Sequence, residues 1–209
     1  IGPRINAAGR LEKASDSVRL LIAERKEHAE KLASSINDLN VRRREFDNKI
    51  TEEALQMIQQ DEKLLQAKST VIFNENWHKG VIGIVASRLT DTYYRPTIVL
   101  TRSNNLITGS ARSIKNFDIY DAIDNCSDLL EHFGGHKYAA GLSLKPENLE
   151  EFSRRFEEYV ANNIDKEELI PELNVDLEIN FSDITPKFVR VLKQFSPFGP
   201  GNMAPVFLS

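Results

Sequence analysis

Gly134-Gly135-His136-Lys137-Tyr138-Ala139-Ala140-Gly141 is the stretch on which the reading of this chain turns. Three glycines, two alanines and one histidine fall within eight residues, with Phe133 before them and the apolar Leu142 and Leu144 after. Glycine tolerates φ > 0 and lets the backbone approach another group closely. A Gly-Gly-His turn can therefore aim backbone N–H groups and an imidazole at one anion, a phosphate above all. The same letters also read as a tight turn before a buried strand, with His136 incidental. The local pattern leaves both readings open.

Working outward, strand-like runs at Ser69–Asn74, Thr97–Thr101, Leu106–Arg112 and Ala139–Leu144 alternate with helical spacing. Helical spacing appears in Gly80–Tyr93 (Val81, Ile84, Val85, Leu89) and in Leu149–Ile164 (Phe152, Phe156, Tyr159, Val160), and Ile119–Phe133 is expected to form one or two short helices. Such alternation predicts an α/β fold. Upstream, Ser15 to Gln60 contains neither Gly nor Pro, and Ala29, Leu32, Ile36, Leu39, Phe46, Ile50, Ala54 and Met57 recur in helical steps, interrupted only by Arg43. Ser15 or Asp16 is expected to cap this helix, which would span about 70 Å if unbroken. Residues 1–13 carry two glycines and a proline and read as a loop. Beyond a charged linker ending at Pro171, Val175, Leu177, Ile179 and Phe181 alternate with polar residues as a half-buried strand does. Phe188, Val191 and Leu192 suggest a short helix, and Val206, Phe207 and Leu208 a terminal strand-like run.

The 209 residues suffice for one large or two small domains, with 41% hydrophobic and 28% charged residues and a formal net charge of −4. Any surface for a polyanion must therefore be local. The single Cys126 excludes an internal disulfide and reads as a small buried residue. None of His28, His78, His132 and His136 lies in a metal-ligand spacing. No apolar run approaches the roughly 18 residues that span a bilayer, no signal peptide is visible, and a cytoplasmic location is expected. The chain opens on Ile-Gly-Pro and stops in an apolar run, and both ends are expected to be cuts inside a longer protein.

Candidate chemistry gathers at a few places. Ser110 and Arg112, two apart in Gly109-Ser110-Ala111-Arg112-Ser113, would project from one face of a strand. Arginine offers a planar fork of donors suited to phosphate, though a solvated strand end fits the same letters. Trp77-His78-Lys79-Gly80-Val81 precedes a helix N-terminus, which favours an anion, or is simply a hydrophobic anchor and a turn. Arg4 and Arg10 flank small residues and could grip phosphates or cap helices. In Arg42-Arg43-Arg44, Arg43 falls on the apolar stripe and is expected to face inward.

The Gly-Gly-His run resembles the signature of the DHHA1 domain, the substrate-binding half of DHH-superfamily phosphoesterases. Ile1-Gly2-Pro3-Arg4-Ile5-Asn6-Ala7-Ala8-Gly9-Arg10 is similar to the segment that closes the catalytic domain of RecJ-type single-strand exonucleases. Pro197-Phe198-Gly199-Pro200-Gly201-Asn202 is similar to a turn in the OB-type domain that follows, and Gly80–Leu89 and Gly109–Ser113 also fit. The resemblance covers essentially the whole chain in order. It implies the end of a catalytic domain and a long connecting helix broken near Glu24 (1–66). A DHHA1 domain with a mixed sheet flanked by helices (67–165) and a linker with the beginning of an OB-type domain (166–209) would follow. It implies 5′-to-3′ hydrolysis of single-stranded DNA in repair and recombination, with this part binding and orienting the strand. Arg4, Ser110, Arg112, Gly134, Gly135 and His136 would contact phosphates, His136 supporting catalysis without ligating metal. Mn²⁺ or Mg²⁺ would be bound upstream of Ile1 by a set including Asp-His-His, a run this sequence lacks, so the fragment is expected to be inactive alone. The resemblance further implies single-stranded DNA, a single-strand-binding protein and a helicase as partners, and no membrane. Two alternatives stand beside it. One is a DHH phosphodiesterase for oligonucleotides or cyclic dinucleotides, not expected to carry Ile1–Arg10 or Pro197–Asn202. The other is a non-catalytic nucleic-acid-binding module.

Overall fold

In the computed structural model, which describes residues 2–209, Ile1 of the opening segment lies outside the described residues. The chain forms two compact units, one ending at Ile170 and one spanning Pro171–Ser209.

The first unit is built on a five-stranded sheet. Its strands are β1 (Thr70–Phe73), β2 (Thr97–Ser103), β3 (Leu106–Arg112), β4 (Leu130–His136) and β5 (Ala139–Leu144), in spatial order β1-β2-β3-β5-β4. β1 and β2 are parallel and the other pairs antiparallel. Ahead of the sheet run α1 (Gly2–Leu11), α2 (Ser15–Leu21), the 35-residue α3 (Lys26–Gln60) and α4 (Glu62–Gln66). α5 (Ile82–Tyr93) crosses from β1 to β2, α6 (Ile119–Asp124) follows β3, and α7 (Leu149–Asn163) closes the unit.

Each face of the sheet has its own core, because successive strand residues point to opposite faces. One face packs Ile98, Leu100, Ala111, Ala140, Leu142 and Leu144 against Ile119, Ile123, Phe152, Phe156 and Val160 of α6 and α7. The other packs Ile72 and Val99 against α5 (Val85, Ala86, Leu89) and α3 (Ile50, Ala54, Ile58). That second core takes nothing from β5 or β4, and most of β4 is exposed. The α5 side of the sheet is therefore covered over β1–β3 and bare over β5–β4.

The break in the helical stripe falls where expected, and α3 alone extends about 50 Å. Three expectations change. Residues 2–11 form a helix, because Pro3 is tolerated in a first turn and the fully buried Ala8 packs α1 on Ile36 and Leu39 of α3. The cap of α2 is Ala14 with no side-chain bond, since Asp16 lies within the helix and pairs with Arg19. Leu130–His136 is a strand rather than the end of a helix: α6 stops at Asp124 and a short 3₁₀ turn at Ser127–Leu129 leads into β4.

α4 is tied to the sheet by the buried Arg95, which donates to Leu64 O (2.7 Å), Ala67 O (2.5 Å) and Thr70 Oγ1 (2.8 Å). The first two bonds satisfy carbonyls at and just past the end of α4 that have no partner within the helix.

In the second unit β6 (Leu177–Glu178) pairs in parallel with β7 (Phe207–Leu208), and α8 (Pro186–Gln194) is capped by Thr185, whose Oγ1 accepts from Phe188 N–H at 3.2 Å. The alternation across Asn174–Asn180 thus yields a two-residue strand, since only Leu177 and Glu178 find ladder partners. Asn202 Nδ2 closes the Pro/Gly turn by donating to Phe195 O (2.8 Å) and Pro197 O (3.0 Å).

Candidate phosphate-binding groove

Register places the candidate side chains. Arg112 of β3 pairs with Ala139 of β5, which pairs with His136 of β4; one step along, Ser110 pairs with Gly141 and Gly141 with Gly134. Directly opposed residues share a face of an antiparallel pair. Arg112 and His136 therefore stand on the α5 side of the sheet, Arg112 against α5 and His136 on the bare edge, two strand spacings or about 10 Å apart. Between them the floor is Ala139, Gly141 and Gly134, which add almost no height. Added Cβ atoms at Gly134 would meet nothing within 4 Å, and at Gly141 only Gly109 O at 3.9 Å. The result is a shallow groove with a basic wall and an imidazole wall.

The basic wall is held in place. Arg112 Nη1 donates to Ser110 Oγ (3.0 Å) and to Ala111 O (2.6 Å). α5 comes down on this pair at Gly83, where a Cβ would lie 3.0 Å from Ser110 Oγ and 3.2 Å from Arg112 Nη2. Burial pushes the Arg112 pKa below its ordinary value, and the neighbouring positive charge of Arg10 pushes it the same way. Neither arginine forms an ion pair among the described residues. Two cations close together, one half desolvated and no carboxylate beside them, constitute a site that an anion would relieve.

The imidazole wall is an edge strand and its turn. Gly134, Gly135 and His136 are the last residues of β4, and the turn lies at His136–Ala139. Tyr138 N–H donates to His136 Nδ1 at 3.2 Å. That bond makes Nδ1 the acceptor and leaves Nε2 as the exposed ring's donor.

Arg10 also donates to Gly80 O (3.3 Å), and α1 is seated so closely on the start of α5 that a Cβ at Gly80 would overlap Arg10 O. A cleft of about 200 Å³ opens there, lined by Pro3, Asn6, Ala7, Arg10, Arg43 and Ile84. Arg43 faces inward as expected, donating to Asp47 Oδ2 (3.1 Å) and Asn40 Oδ1 (3.3 Å). Asp47 is fully buried, and Arg88 Nη2 reaches the same Oδ2 at 2.9 Å. Arg4 is bonded to Asn37 of α3 (Nε to Oδ1, 3.0 Å) rather than joined to the β3 pair. Trp77 is a buried anchor, donating to Glu53 Oε2 at 2.8 Å. Cys126 is fully buried and its thiol is pushed up to about 11, which fits a packing role.

Sequence reasoning quoted Gly141 only as part of the Gly-Gly-His run and did not single out Gly83 or Asp47. A glycine inside a helical run is a weak signal of close approach, and Gly83 carried it. Asp47 carried none, because a lone acid on a charged helix looks solvated. Among the described residues no group of three or more His, Cys, Asp or Glu side chains could hold a metal ion, so the donors present do not fit one. No helix among them is long and apolar enough to cross a membrane.

Residues 61–162 match the DHHA1 domain family, and the sheet with its paired Ser-Arg strand and Gly-Gly-His edge is that domain. Residues 175–209 match the RecJ OB domain. The chain is 40% identical over 207 residues to the single-stranded-DNA-specific exonuclease RecJ of Bacillus subtilis (strain 168), covering 98% of this chain and 26% of that protein. It is 34% identical over 214 residues to the corresponding RecJ of Haemophilus influenzae, covering 99% of this chain and 37% of that protein. The crystal structure of RecJ in complex with Mg²⁺ from Thermus thermophilus superposes with a TM-score of 0.87 at 32% identity, over 98% of this chain and 31% of that one. The chain thus matches the DHHA1 and RecJ OB domains and is similar over nearly its whole length to RecJ proteins, spanning about a quarter to somewhat over a third of the length of the curated relatives it matches.

Proposed function

We propose that this chain is the strand-binding part of a single-stranded-DNA exonuclease and that it orients DNA by its phosphates for 5′-to-3′ hydrolysis. The observation that carries the reading is the single row Arg112–Ala139–His136, which runs from beside α5 across the bare half of the sheet. One row gives a fork of donors, a floor low enough for a sugar-phosphate backbone, and a ring N–H opposite. Arg10 and Arg43 extend positive charge into the adjoining cleft. The names of the relatives supply the substrate class. We divide the chain accordingly into a connecting segment (1–66), the DHHA1 domain (67–165) and an OB-type segment (166–209). By the same family likeness a single-strand-binding protein and a helicase are its partners.

Arg112→Ala should weaken binding of a single-stranded oligonucleotide by about 1.5–3 kcal/mol, the worth of a charged hydrogen bond. Arg42→Ala removes the same charge from an exposed side chain paired with the exposed Glu12 at 3.7 Å and should cost almost nothing. Titration by fluorescence anisotropy reads both, and equal losses would show that only net charge matters.

Binding should also weaken with salt. With about three phosphates neutralised, log K falls against log[salt] with a slope of about −2. A flat response, or equal affinity for a blunt duplex, would remove the groove from consideration. Because the described residues offer no metal-ligand cluster, the 209-residue chain by itself should release no nucleotides in Mn²⁺. Release that His136→Ala abolishes would overturn this assignment of roles.

A further inference from the structure

We infer that Tyr138 is a stacking platform for a nucleobase beside the phosphate contacts of Arg112 and His136, an inference that rests on the strand-binding reading above. Tyr138 is 52% exposed although its turn is held at three points. Its N–H donates to His136 Nδ1 (3.2 Å), its carbonyl accepts from Ser113 N–H (3.1 Å), and the Lys137 carbonyl accepts from Ile119 N–H (3.1 Å). A turn so bonded is already ordered and loses little further freedom when a ligand arrives.

A single exposed aromatic is ordinary on a protein surface; what distinguishes Tyr138 is its company. The His136 ring stands edge-on to it at 6.4 Å between centroids, and Lys137 Nζ lies 5.9 Å from its ring centre. A nucleotide offers an anionic phosphate and, a few ångströms away, a flat base. The turn offers an imidazole donor, an ammonium and a flat π surface within the same reach. Stacking on an aromatic ring is indifferent to base identity, because every base has a π face. It also selects unpaired strands, since bases in a duplex are already stacked on both sides. The ligand class is therefore a single-stranded oligonucleotide bound without sequence preference.

The test uses the 209-residue chain and two labelled oligomers of equal length, an oligothymidylate and its abasic counterpart. Tyr138→Ala should weaken oligothymidylate binding by about tenfold and leave abasic binding unchanged. Tyr138→Phe and Tyr138→Trp should retain oligothymidylate affinity, while Tyr138→Leu, with apolar bulk but no π face, should behave as alanine does. Equal weakening of both oligomers, no weakening of either, or full affinity in Tyr138→Leu would overturn the platform. Wild-type chain that binds both oligomers equally would overturn stacking and leave the phosphate groove standing. Wild-type chain that binds neither would overturn the groove and the platform together.

Discussion

Gly135→Ala is expected to destabilise the first unit by about 3 kcal/mol, while Gly134→Ala, one residue earlier, stabilises it by about 0.5–1 kcal/mol. The two glycines look equivalent in sequence and lie in opposite surroundings. At Gly135, where φ is 157°, a Cβ would overlap the Ala139 carbonyl and lie 2.5 Å from Ala140 Cα and 2.7 Å from Ala140 Cβ. Those atoms belong to the paired strand, so relief requires β4 to leave β5. At Gly134 a Cβ meets nothing within 4 Å, and alanine only restricts the unfolded chain. Gly134→Ala should nevertheless weaken oligonucleotide binding, because its methyl rises from the groove floor. Urea unfolding followed by the buried Trp77, the sole tryptophan, separates stability from binding. Similar midpoints for the two variants would mean that the hairpin has room the geometry denies. Binding by Gly134→Ala equal to wild type would mean that no ligand approaches this floor.

Asp47→Ala should cost about 2–3 kcal/mol. Removing one partner of a buried ion pair costs roughly 3–5 kcal/mol because the other charge is left uncompensated; the figure is lowered here because the Arg88 side chain is 46% exposed and can turn to water. Arg43 is 15% exposed and has less escape. Both arginines bond one oxygen, Oδ2, while Oδ1 and the nearby Thr51 Oγ1 have no partner among the described residues. Asp47 therefore acts as a clamp of α3 on α5 through charge. The exposed ladder of Glu151, Arg154 and Glu158 gives the contrast, and Glu151→Ala should leave stability nearly unchanged. Asp47→Asn, which keeps the shape and loses the charge, should fall between the two. Unfolding midpoints for the three variants decide it: a loss in Asp47→Ala no larger than in Glu151→Ala would make the buried cluster incidental. Arg43 lines the cleft beside Arg10, so Asp47→Ala should also weaken strand binding.

Periodicity made much of the first unit legible. The stripe from Ile36 to Ala54 marked the buried face of α3, and β3 and β5 have the bounds their runs predicted. These elements bury one face or both, and burial writes a period into the letters. α1 was not legible, since two glycines and a proline in its first nine residues outweigh a pair of alanines until α3 is present to pack on Ala8. β4 was missed for a related reason: it is an edge strand, mostly exposed, and its glycines suppress any alternation. In the second unit Val175 and Phe181 are exposed, so their alternation did not report pairing.

The sequence by itself placed the polar groups from which a site could be built: a serine and an arginine two apart on a strand, and a Gly-Gly-His run. Its Gly-Gly-His, Ile1–Arg10 and Pro197–Asn202 runs also carry the resemblance to RecJ-type exonucleases. Tertiary structure alone decided which of these meet. The register of β3, β5 and β4 sets Arg112 and His136 on one face, and α5 covers only β1–β3, which leaves that face open over β5–β4. Strand order is a long-range choice, made by two cores packing on opposite sides of the sheet, and no local spacing encodes it. The same packing brought Arg10 to Arg112 and buried Asp47 between two arginines, juxtapositions that depend on where whole helices come to rest.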